Sequence, residues 1–160
     1  MLVDEQGRQT RLAVYGVAQE AGRVLLTRLG PQEPDPGAWT LPGGGLDWGE
    51  DPLGCLAREF LEETSLAVTA IQPLGVYSFQ IKSSERIHPG PDVHVIQLVW
   101  LVSATGEPVD EVDGSTDQAR WWPLERLAEV RLVPVARYGL DLANDLLANR
   151  GWREPRPPSG

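Results

Sequence analysis

The run Arg58-Glu59-Phe60-Leu61-Glu62-Glu63 holds three carboxylates within five residues. At 3.6 residues per turn they occupy positions i, i+3 and i+4, so the spacing predicts that all three project from one helix face. Acids so close repel one another, and no lysine lies nearby to answer them. A hard divalent cation resolves the repulsion, and Mg²⁺ favours carboxylate oxygen together with water and substrate phosphate. Arg58, four residues before Glu62, is placed to pair with it and hold its orientation. An acidic, solvated helix face is the alternative, and the carboxylates alone favour it. The preceding loop shifts the balance: Gly43, Gly44 and Gly45 allow positive φ and close backbone approach, offering carbonyls and amides to a metal ion or a phosphate.

These groups need a helix with a firm start. Asp51 is a good N-cap and Pro52 suits the first helical position, while Leu53, Leu56 and Phe60 recur as a core-facing stripe. Upstream, Leu12 to Ala18 reads as a strand, with Arg23 to Leu29 as its hairpin partner across Gly22. Gly30 to Gly37 is a proline-rich loop, and Trp39 to Pro42 a short extended piece. Downstream, strands are predicted at Ala67 to Ile71, Leu74 to Ile81, Val93 to Ser103 and Ala119 to Pro123, with a polar loop at Lys82 to Pro91 and an acidic loop at Gly106 to Asp117. Helical signals return at Leu124 to Leu127 and at Ala136 to Asn149, where Leu140, Ala143 and Leu147 line one face. Strands mixed with two main helices predict a sheet covered on both faces.

The 160 residues, 41% of them hydrophobic, suffice for one core. With 23 acidic against 14 basic residues the net charge is −9, which disfavours polymeric nucleic acid but leaves room for a small phosphorylated substrate whose sign is met locally by a cation. No apolar run is long enough to span a membrane, and the polar, acidic N-terminus is unlike a secretory signal, so a cytoplasmic location is expected. The single cysteine, Cys55, excludes an internal disulfide and a four-cysteine metal site; mid-helix and away from the carboxylates, it reads as a small buried hydrophobe.

Gly44, five residues, Glu50, seven residues, then Arg58-Glu59-Phe60-Leu61-Glu62-Glu63-Thr64-Ser65-Leu66 closely resembles the Nudix box of the Nudix hydrolase (MutT-like) superfamily. Every charged position matches without a gap. One departure is Ser65, where the box has glycine; that glycine ends the helix in a left-handed conformation, where serine costs about 1 kcal/mol. The resemblance runs from about Leu12 to Asn149. It implies an α/β (α+β) fold, an α/β/α sandwich with a mixed sheet between helices, in one domain over residues 1–153; the composition of residues 154–160 (EPRPPSG) predicts a disordered tail.

It also implies a reaction: hydrolysis of a phosphoanhydride in a nucleoside diphosphate linked to another group, with one to three Mg²⁺ or Mn²⁺ ions polarising phosphate and activating water. By resemblance, Glu59, Glu62, Glu63 and the Gly43 carbonyl hold metal, while Glu50 and Arg58 orient the glutamates. The base is Glu62 or Glu63, or a loop acid among Glu111, Asp113 and Asp117, of which Asp117 is preferred. Arg28 and the Gly43, Gly44 and Gly45 backbone are expected to contact substrate; Arg11, Lys82 and Arg86 are further cations, and one of the tryptophans could stack on a base. His88 and His94 read as loop and sheet residues. Where many ADP-ribose pyrophosphatases carry a downstream proline, Gln80 stands here, and Tyr77 comes too early for the tyrosine of dinucleoside polyphosphate hydrolases. The leaving group is thus not named. A homodimer is left open because many relatives form one. An idle domain that binds or senses nucleotides, and an acidic surface for a basic partner, are the competing readings.

Overall fold

The computed structural model describes residues 2–150. The expected domain end at residue 153 and the tail at 154–160 lie outside the described residues. Strands β1 (Leu2–Val3), β2 (Gln9–Glu20), β3 (Arg23–Leu29), β4 (Trp39–Thr40) and β5 (Gly43–Gly45) precede helix α1 (Pro52–Thr64). Then come β6 (Thr69–Ile81), β7 (Val93–Ser103), β8 (Thr116–Pro123) and helix α2 (Pro134–Arg150), with 3-10 turns at Ser83–Glu85 and Leu124–Glu129.

β2 is the hub. It pairs in parallel with β7 from Gln9↔Val93 to Ala18↔Val102, and antiparallel with β1 and β5. β6 continues the sheet beyond β7, and β3 carries β4 on one side and β8 on the other. The expected hairpin of β2 and β3 exists only at its tip, Gln19↔Val24 and Glu20↔Arg23. Beyond that tip the two strands part, and β3 pairs along its length with β8. Turn chemistry at Ala21 and Gly22 fixes the reversal, but burial on both faces decides which strands lie side by side. The two strands expected between residues 67 and 81 are one strand, whose register slips near Ile71 and Leu74 rather than breaking.

The helices lie on opposite faces of the sheet, giving the expected α/β/α sandwich. On one face, Leu56 and Phe60 of α1 pack with Val14, Ala18 and Val102. A Cβ at Gly16 would lie 2.8 Å from the Phe60 ring, so α1 sits this close only because β2 has glycine there. On the other face, Ala136, Leu140 and Ala143 of α2 pack with Val17, Val99 and Leu101. Leu53, read from the sequence as part of the core stripe, is 40% exposed; the buried arc of α1 runs through Cys55, Leu56, Phe60, Glu63 and Thr64 instead.

Candidate active site

Helix α1 begins as its sequence dictates. The Asp51 carboxylate accepts from the N–H groups of Leu53 and Gly54, each at 3.0 Å, and Pro52 opens the first turn. It ends at Ser65, which takes φ 60°, ψ 16°, while its N–H donates to the Leu61 carbonyl. The left-handed exit is thus kept without the glycine that normally serves it.

Between these ends the three glutamates diverge. Glu63 turns inward, only 2% exposed, and its Oε2 accepts from the Gly43 N–H at 3.0 Å. Burial pushes its pKa well above the ordinary 4.5. Glu59 lies beneath the loop: a Cβ at Gly44 would stand 2.6 Å from its Oε1, so that glycine leaves the space the carboxylate fills. Its pKa is raised too, first by burial, with Arg58 pulling the other way. Glu62 points to solvent, its side chain 49% exposed. The three acids are neighbours, as the spacing predicts, but they lie at different depths. Glu62 and Glu63 sit at the two edges of that face, about 100° apart, so Glu63 reaches the core while Glu62 stays outside. Among the described residues, no three carboxylate, imidazole or thiol groups converge as they stand on a point that could hold an ion.

Arg58 ties the glutamates together. Its Nε and Nη2 donate to the two Glu50 oxygens at 2.8 and 3.0 Å, a bidentate pair. Its Nη1 donates to Glu59 at 3.0 Å and to Glu62 at 3.2 Å, and Nη2 reaches the Gly45 carbonyl at 3.3 Å. The guanidinium holds the Glu50 carboxyl down at about 2. Cys55 is fully buried, as expected, yet it lies within the site. Its Sγ is 3.6 and 3.5 Å from the Gly44 and Gly45 carbonyls and 3.6 Å from Arg58 Nη2. Burial pushes its thiol up to about 12, so it stays protonated and unreactive.

The outlying candidates are sorted by the sheet. Pairing of β3 with β8 sets Arg28 opposite Gln118 and brings Arg28 to Asp117 in a bidentate ion pair of 2.7 and 2.9 Å. This pair lowers the Asp117 pKa. Glu111 is the loop acid whose charge reaches Glu59 and Glu63. It is held by the Thr116 hydroxyl at 2.8 Å, and its position is invisible from spacing alone because the loop doubles back. Trp39 and Trp122 pack edge to face at 5.3 Å, whereas Trp48, in the loop after Gly45, is 97% exposed. His94 lies in β7 and His88 in the following-side loop of β6, away from the glutamates' contacts. A cleft of about 280 Å³ opens beside the box, lined by Arg11, Gly45, Asp47, Arg58 and Glu59 among others.

The donor chemistry suits a hard divalent ion. The Glu59 carboxylate packs against Gly44, and Glu63, the most buried acid of the helix, has the Gly43 N–H for a partner, so hard oxygen donors stand beside the glycine loop. No helix among the described residues is long and apolar enough to cross a membrane.

Comparison with known proteins agrees with this geometry. The NUDIX domain family model matches residues 7–142. An ADP-ribose pyrophosphatase from Methanocaldococcus jannaschii is 30% identical over 119 residues, 74% of this chain and 65% of that protein. A MutT-like protein from Streptomyces ambofaciens is 43% identical over 121 residues, 73% of this chain and 68% of its own length. The chain therefore spans roughly two thirds of the length of these curated relatives. The crystal structure of a MutT Nudix hydrolase from Burkholderia pseudomallei superposes with a TM-score of 0.70 at 27% identity, covering 84% of this chain and 98% of that one. Because the family match takes in β2, the box and the first half of α2, this chain belongs to the Nudix hydrolase family.

Proposed function

We propose that the protein hydrolyses the phosphoanhydride of a nucleoside diphosphate linked to a second group, with Mg²⁺ (or Mn²⁺) as cofactor. The observation that carries this reading is the placement of Glu59 and Glu63 directly beneath Gly43 and Gly44, with Arg58 bridging Glu50, Glu59 and Glu62. Glu59, Glu62, Glu63 and the Gly43 carbonyl would hold the ion. When bound, it supplies positive charge for the phosphate and acidity for the attacking water.

The protein's own groups prepare that step. Arg58 fixes Glu50 and steadies Glu59, so the helix presents its acids in a set arrangement. Glu62 is the adaptable member, free to leave a single 3.2 Å contact with Arg58. For the proton acceptor we favour Glu111 over Asp117, since Glu111 acts electrostatically on Glu59 and Glu63 while Asp117 is neutralised by Arg28. Asp117 and Arg28 then shape the wall where β3 meets β8.

A screen of nucleotide sugars, dinucleoside polyphosphates, nucleoside triphosphates and CoA derivatives with Mg²⁺ and Mn²⁺ tests the proposal. Turnover that vanishes on chelation and in Glu62→Gln supports it. Nucleotide binding with no phosphate release from any compound would assign the domain to sensing instead.

A further inference from the structure

Strands β8 and β6 both end the sheet, and their outer edges are finished differently. β8 carries Asp117 and Arg120 and closes on Pro123, residues that discourage the addition of another strand. Its outer edge is also capped, because the N–H groups of Thr116 and Ala119 donate to Glu111 and Asp110 at 3.3 and 2.9 Å. β6 has no such protection. Its residues Thr69–Ile81 include no charged side chain. Among the described residues, no strand other than β7 pairs with it, and no loop backbone hydrogen-bonds to it. Pro73 and the slips of register lie in its first half; from Gly75↔Val99 to Ile81↔Val93 the ladder runs unbroken. Along that stretch the outward N–H and C=O groups have no protein partner.

The occupant that fits this edge is the same edge of a second copy. An antiparallel strand is complementary to itself about a two-fold axis, so each side supplies what the other lacks. The unbroken stretch is centred on Ser78. An axis through Ser78 pairs its whole length, setting Tyr77 opposite Phe79 of the second copy and Val76 opposite Gln80. Paired residues share a face. On the α2 face Tyr77 already has Phe79 and Tyr138 as ring neighbours, at 6.1 and 5.4 Å between centroids, while Phe79 remains 39% exposed. The pairing joins both sets of rings into one aromatic cluster. On the other face it shields Val76, which is 54% exposed. Each copy carries a net charge of −9, so an uncharged edge is where two copies can meet with least repulsion.

We propose that the outer edge of β6 is a homodimer seam, with Gly75–Ile81 of two copies pairing antiparallel about Ser78 and their sheets continuing into one. The cleft beside Gly45 lies across β7 and β2 from this seam, so the pairing is independent of the hydrolase reading.

Sedimentation equilibrium of the full chain, from micromolar to millimolar concentration, is the test. The wild type should dimerise, and more tightly as salt rises, because salt screens the repulsion between two acidic copies. Phe79→Lys removes an aromatic cross-strand pair on each side of the axis and should raise the dimer dissociation constant about tenfold or more. Val76→Lys, a charge on the open edge, should act in the same direction. Leu2→Lys adds the same charge to β1, where the side chain is 75% exposed, and should leave the dimer as it was. All three side chains are exposed, and unchanged melting temperatures would show the variants folded. A second measurement reads the register without disturbing the seam's apolar residues. Ser78→Cys should link two copies through a short bifunctional thiol reagent, whereas Leu2→Cys should not; Cys55 is buried and stays silent in both. A chain that remains monomeric throughout would overturn the proposal. So would a dimer that loosens with salt, one that both β6 lysine variants leave intact, or one that Ser78→Cys fails to link.

Discussion

Helices α1 and α2 press on opposite faces of one sheet, and they treat charge in opposite ways. The buried residues described in α2, Val135, Ala136, Gly139, Leu140 and Ala143, are all apolar. Helix α1 buries Leu56 and Phe60 in the same manner, then adds Glu63 at 2% exposure. An ionised carboxylate in such a place costs free energy that an apolar residue would not. One layer serves cohesion alone; the other gives up some cohesion to keep an acid beneath the glycine loop.

That contrast breaks most visibly in activity. Glu62→Gln or Glu63→Gln should lower turnover by orders of magnitude while circular dichroism stays native; near-normal activity in either would remove the metal-site reading. Leu140→Ala in α2 should do the reverse, destabilising by about 3 kcal/mol through a core cavity while the folded fraction keeps its kcat. Chemical denaturation alongside steady-state kinetics tests both halves, and a loss of kcat in the folded α2 variant would erase the distinction between the layers.

The pH dependence of stability sharpens the comparison within α1 itself. Arg58 lowers the Glu50 pKa from 4.5 to about 2, so its contribution is present above pH 4.5 and is lost as pH falls toward about 2. Glu63 has a raised pKa, so the folded state retains its proton longer, and its ionisation erodes stability as pH rises above 4.5. Melting temperatures of the metal-free protein should show Glu50→Gln flattening the acid side of the profile and Glu63→Gln flattening the alkaline side. Identical profiles for the two variants would refute the opposed roles. The smallest effect belongs to the helix exit: Ser65→Gly should raise stability by about 1 kcal/mol at φ 60°, seen as a modest upward shift in melting temperature without a change in turnover.

What the sequence made legible is what lies close along the chain. Asp51, Pro52 and the left-handed Ser65 follow from helix-end chemistry, and Glu50 reaches Arg58 from eight residues away. The three-layered sandwich followed from mixed strand and helix signals. Pairings between distant segments were hidden. Arg28 meets Asp117 only because β3 leaves its hairpin for β8, and Arg11 meets the glycine loop only because β5 docks beside β2. Leu53 and Glu63 show the other limit. Periodicity gives the spacing of a helix face but not its rotation against the sheet, and that rotation exposed the leucine and buried the acid.

The parallel ladder of β2 and β7 has a consequence for the order in which the molecule forms. Its partners, such as Arg11 and Val95, stand more than eighty residues apart, and β3 waits still longer for β8. During synthesis the box emerges well before the strands that complete its sheet. Until β7 arrives, the α1 segment is an amphipathic stretch with hydrated acids, and Glu63 bears no desolvation penalty. The long loop closures place this chain among slow folders, with the carboxylate buried late. Refolding should therefore contain a slow phase in which Glu63 goes under last, speeded at acid pH where that side chain arrives already neutral.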